Sequence, residues 1–137
     1  MIQPLTIDES LGAEFHSLGL EFLVDFLQGV VSRHPDNLAT LSELAQLLTE
    51  LGRHEEGLVV DERLVRALPE SSIVRYNLAC SLALMGRPLE ALDALERATS
   101  LGYDDPEHLV ADEDLVCLRK ELRFQRLVKR LIEQQAG

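Results

Sequence analysis

Tryptophan is absent from this chain, aromatic residues make up only 4% of its 137 positions, and there are just two cysteines. Strands draw on aromatic and β-branched side chains, so the scarcity of aromatics beside a 46% hydrophobic fraction points to helices packed through leucine and alanine. Cys80 and Cys117 make no CxxC pair and no disulfide framework, which predicts reduced thiols in a cytoplasmic setting. No apolar run approaches the roughly 20 residues of a membrane span. Met1 to Ser10 includes acids but no Lys or Arg, so the charged start of a secretory signal is missing. Positive charge is also scarce, with 13 Lys and Arg against 24 Asp and Glu and a formal net charge of −11. Binding to a phosphate backbone rests on cations that release counterions, so nucleic acid is not an expected partner, and neither is a membrane. The shortage is uneven. Arg119, Lys120, Arg123, Arg126, Lys129 and Arg130 balance the acids of residues 106–137, giving an acidic front and a basic tail helix.

Chemistry-bearing patterns are equally sparse. His16, His34, His54 and His108 are far apart in sequence and show no ligand pair, so a metal site is not expected. Asp104-Asp105 and Asp112-Glu113-Asp114 lack the alternate acids, central glycine and distal glutamate of a calcium loop; they read as helix-capping carboxylates. No histidine is placed beside either cysteine, and there is no nucleophile elbow or phosphate-binding glycine loop. The expectation is a protein with no catalytic residues, no metal and no cofactor.

What is present is a period of thirty-four residues. Laying residues 38–71 on residues 72–105 matches Leu44 with Leu78, Ala45 with Ala79, Leu48 with Leu82, Gly52 with Gly86, Arg53 with Arg87, Glu56 with Glu90 and Leu58 with Leu92. Pro35 and Pro69 keep the same step. Such a period marks stacked supersecondary units, each needing its neighbours to bury its apolar face. Within each unit the apolar residues recur at helical spacing up to a glycine, then resume on a second helix that Pro69 stops in the first unit. Residues 8–37 read as a degenerate first repeat or cap, with a turn near Leu18-Gly19 and Asp8 as N-cap; a single bent helix is the competing reading. Residues 106–137 read as capping helices, and the whole chain as one domain.

Tyr76-Asn77-Leu78-Ala79 running through Leu82 to Gly86, then Glu90-Ala91-Leu92 and Ala98, resembles a tetratricopeptide repeat. The preceding unit matches at Leu44-Ala45, Leu48, Gly52 and Pro69, with Gly57 in place of the usual alanine, while Arg75 and Tyr103 depart from the pattern. The resemblance implies an all-α, right-handed α-α superhelix of helical hairpins whose concave wall is lined by the first helix of each pair. It also implies a non-catalytic protein-interaction module, in which a peptide or helix would touch Ser42, Gln46, Thr49 and Glu50 in one unit and Ile73, Tyr76, Asn77, Cys80, Ala83 and Leu84 in the next. Members that clamp a terminal carboxylate use Lys, Arg and Asn at several such places. Here only Asn77 remains, with Ser42 and Gln46 in place of the cation and amide, so a carboxylate clamp is not expected.

The apolar residues of this wall, with Glu50 as its charge, suit an amphipathic helix carrying a basic residue. Two alternatives stay open: the wall is covered by the chain's own terminal helix, or the protein is a self-associating scaffold in which acidic repeats meet the basic C-terminal helix of another copy.

Overall fold

The computed structural model describes residues 9–137. In order along the chain lie α1 (Glu9–Arg33), α2 (Leu38–Glu50), α3 (His54–Ala67), α4 (Ser72–Leu84), α5 (Pro88–Ser100), α6 (Pro106–Ala111), a 3-10 helix (Glu113–Leu118) and α7 (Leu122–Ala136). No strand occurs among the described residues. The elements stack in chain order, α1 on α2, α2 on α3, α3 on α4 and α4 on α5.

The repeat is visible in its turns. Gly52 and Gly86 sit at φ 76° and 72°, a left-handed conformation that costs glycine little. Past each glycine the next amide reaches back to close the helix end, Arg53 N to Leu48 O at 2.8 Å and Arg87 N to Leu82 O at 3.0 Å. Each of these arginines then grips a glutamate three residues on. Arg53 holds Glu56, and Arg87 donates to Glu90 at 3.0 and 2.6 Å. Helix starts are closed by side chains, Asn37 accepting from Thr40 N at 3.1 Å and Ser71 from Val74 N at 3.3 Å.

Two buried clusters run side by side. One joins Val24 and Val31 of α1 to Leu41, Leu44 and Leu48 of α2 and Leu64 of α3. The larger joins Ala79, Leu82, Leu92 and Leu95 of the second pair to Leu109, Leu115, Leu118, Phe124, Leu127 and Leu131 of the tail. Arg123 fastens α7 to α5 through Asp93 at 2.7 Å and Glu96 at 3.0 Å, so one tail cation is neutralised within the chain.

The N-terminal segment differs from the two-helix expectation. α1 is unbroken from Glu9 to Arg33, and Gly19 lies inside it without a positive φ. Shifted by one period, Leu18 takes the place of Gly52, Gly19 that of Arg53 and Phe22 that of Glu56. The glycine is out of step and the arginine–glutamate grip is missing, so nothing reverses the chain there. Asp8, the expected N-cap, lies outside the described residues.

Candidate functional site

The first helices of the two pairs, α2 and α4, present equivalent walls, and the structure treats them differently. On α4, Tyr76, Cys80 and Ala83 are buried. The residues one period earlier on α2 are Ser42, Gln46 and Thr49, of which Ser42 and Gln46 are exposed and Thr49 half-buried. Glu50 is exposed at the end of this wall, 3.8 Å from His16 of α1.

The α4 wall is filled by the chain's own residues 106–118. The Tyr76 hydroxyl donates to Asp112 Oδ2 at 2.5 Å, the Cys80 thiol faces the same oxygen at 3.7 Å, and the Cys117 thiol points at Ala83 O at 3.6 Å. Leu115 and Leu118 complete the contact in one apolar cluster with these side chains. The expectation that Tyr76, Cys80 and Ala83 line an open groove therefore does not hold. Their small or flat surfaces accept α6 and the 3-10 helix of the same chain, so the cover on this pair is that segment and not the terminal helix α7, which packs on α5 and α6.

The remaining expected contacts fall elsewhere. Ile73 and Asn77 are exposed at the N-terminal end of α4, where they line a shallow cleft of about 480 Å³ with Ser72, Tyr103, Asp105 and His108. Leu84 is half-buried at the other end. Ser42, Gln46 and Glu50 thus form one open surface, with Thr49 half-buried at its edge and its hydroxyl donating to Ala45 O at 3.0 Å, and Ile73 with Asn77 forms another.

Sequence reasoning missed the residues that hold the tail. Tyr103 stacks on Tyr76 with ring centroids 4.6 Å apart, and His108 lies 5.5 Å from the Tyr76 ring and 3.6 Å from Asp112. The departure of Tyr103 from the repeat pattern, at the place of Pro69, was the available signal. Burial pushes the Tyr76 phenol well above its ordinary value, and the bond to Asp112 adds to this. Burial, then the charges of Asp112 and Asp114, likewise pushes the Cys80 thiol up, away from the thiolate a nucleophile requires. Cys80, Asp112 and Asp114 bring ligand atoms within 4.8 Å of one another. In this arrangement Asp112 already accepts from Tyr76, from Cys80 and from the Asp114 amide at 3.0 Å, which makes it the staple of the tail.

No family model matches the chain. Over 85 residues it is 35% identical to a chloroplastic protein of Arabidopsis thaliana, a stretch covering 60% of this chain and 25% of that protein. The chain thus spans about a quarter of that relative's length. Among solved structures, "MamA AMB-1" superposes with a TM-score of 0.62 at 19% identity, covering 80% of this chain and 62% of that one. "MamA RS-1 ArsTM double mutant" gives 0.68 at 17% identity, covering 92% and 74%. The likeness is one of fold. The architecture is an all-α superhelix of tetratricopeptide-type hairpins, and no helix among the described residues is long and apolar enough to cross a membrane.

Proposed function

We propose that this chain is a non-catalytic protein-interaction module that takes a peptide or helix against the α2 wall. One observation carries the reading: the chain lays its own residues 106–118 across the equivalent wall of α4, while the wall of α2, one period earlier, stays open. The α2 wall offers Ser42 and Gln46 as polar contacts, the methyl side of Thr49, and Glu50 as a charge. An amphipathic segment with a basic residue opposite Glu50 fits that chemistry, and binding to a preformed surface leaves little ordering entropy to overcome. Ile73 and Asn77 would meet only a segment long enough to reach the second cleft.

The test is a peptide-display selection on the full chain, followed by calorimetry of the selected peptides. Ser42→Arg with Gln46→Arg should weaken them at least tenfold, about 1.4 kcal/mol. Unchanged affinity in that variant would remove α2 as the site. Peptides ending in an acidic carboxylate should bind poorly, because no cation stands at Ser42 or Gln46 to receive them; tight binding of such a peptide would restore the clamp.

Self-association through the tail is a second reading, favoured by the exposed Arg126, Lys129 and Arg130 on the outer face of α7. Acidic repeats of one copy meeting that face in another would be loosened by salt.

A further inference from the structure

The α1 helix carries an apolar stripe on the side away from its core. Val24 and Val31 are buried against α2 and α3, whereas Phe15 is 58% exposed, Leu18 64%, Phe22 71% and Phe26 57%. Three of the four phenylalanines in the chain lie in this stripe. Its place in the stack explains why it is bare. The C-terminal half of α1 stands one period before α3, in the position of a hairpin's second helix; α3 is covered by α2 and α5 by α4. The N-terminal half of α1, which would fold back as the first helix of such a hairpin, continues straight on instead.

We propose that two copies of this chain pair through α1, antiparallel and centred between Leu18 and Gly19, so that the N-terminal half of each α1 covers the C-terminal half of the other. The pairing restores the missing hairpin by exchange. The stripe has the symmetry this requires. About that centre Phe15 falls opposite Phe22, Leu11 opposite Phe26 and Leu18 opposite the low surface of Gly19, so the stripe meets itself when the helix is turned end for end. Gly19 and Gly12 keep one edge low enough for close approach. The size is also adequate. Aromatic side chains bury roughly 150–250 Å² each when wholly covered; with 57–71% of each of the three rings still exposed, they offer about 370 Å², and Leu11 and Leu18 bring the total to on the order of 500 Å² per copy. Two copies then give about 1,000 Å², the threshold of a specific interface.

Charge sets the salt dependence. Glu14, Glu21 and Asp25 flank one edge of the stripe, and an antiparallel pair brings like edges together. Arg53 neutralises Glu21 at 2.9 Å and lies in the field of Asp25 as well, which leaves Glu14 as the main charge repelled by the like edge of the other copy. Salt should therefore tighten this dimer, opposite to an acidic-to-basic contact through α7.

Analytical ultracentrifugation of the full chain at low and high salt tests the pairing. The expected result is a mass of twice 15.3 kDa that is favoured by salt and reverts to one chain in Phe15→Glu with Phe22→Glu, with helical content unchanged by circular dichroism. If that variant loses its fold, crosslinking decides. In a Cys117→Ser background, Leu18→Cys should oxidise to a covalent dimer because it sits beside the dyad, whereas Gly29→Cys should not, because it reaches its counterpart only in a parallel pair. A wild-type monomer throughout, with the stripe left to a foreign basic helix or to residues 1–8, overturns the proposal. So does a dimer that survives the glutamates, or a crosslink through Gly29→Cys. None of these results depends on the α2 wall, so either idea can fail alone.

Discussion

Asp61 is a carboxylate buried without a counter-charge of its own among the described residues. It lies 3% exposed in α3 and accepts a hydrogen bond from the Ser81 hydroxyl of α4, and no ion pair to it occurs among the described residues. Burial raises its carboxyl from 3.8 to about 6, with Ser81 opposing the shift. Below about pH 3 the group is protonated in the folded and unfolded states alike and causes no loss, and at pH 4 the loss is still small. As pH rises the unfolded chain ionises first, so the fold loses stability through the window up to about pH 6, in all on the order of 3 kcal/mol. Asp61→Asn keeps an acceptor for Ser81 without the charge. Its thermal midpoint should exceed wild type at pH 7.5 and match it at pH 4, and equal midpoints at both pH values would show that the carboxyl is not strained. Tyr76 makes the complementary case. Tyr76→Phe removes only the donor to Asp112 and should cost about 1 kcal/mol in urea denaturation, whereas Tyr76→Ala opens a cavity and should cost about 3–5 kcal/mol. A groove residue would lose binding without either penalty.

Among the helices, α3 is held back by one residue. Gly57 occupies the place of Ala91, which is fully buried, and a Cβ there would meet Thr49 Oγ1 at 3.4 Å and Leu48 Cβ at 3.7 Å, ordinary contacts. Gly57→Ala should therefore stabilise the fold by about 0.5–1 kcal/mol, seen as a higher urea midpoint with an unchanged slope. The substitution is legible from the repeat alone, as are the boundaries of α2 to α5, because their glycine turns, caps and arginine–glutamate grips recur at one period. α1 was less so. A glycine in an apolar helical run reads as a turn until its register is compared with Gly52, and only then does the lack of the arginine–glutamate pair stand out. The filling of the α4 wall was not legible, since nothing local to Asp112 announces that Tyr76, thirty-six residues earlier, will donate to it. Tyr76, Cys80 and Ala83 were lost from the expected contact set to that one long-range packing choice.

The whole molecule behaves as two buried clusters in series, because each helix touches mainly the next one along. Coupling between the clusters passes through the α3–α4 boundary, where Asp61 meets Ser81. Ionising Asp61 weakens that boundary selectively. At pH 7.5 α1 to α3 should therefore open before α4, α5 and the tail, and amide exchange should show two tiers, with Leu41 and Leu48 released at lower denaturant than Leu92 and Leu95. At pH 4 the carboxyl is protonated in the fold and only beginning to ionise in the opened state, and the tiers should converge toward one cooperative unit. General relief of the −11 charge also acts at low pH, so the decisive comparison is Asp61→Asn at pH 7.5. Merged tiers in that variant would assign the coupling to this one contact, and tiers as far apart as in wild type would place the weak joint elsewhere.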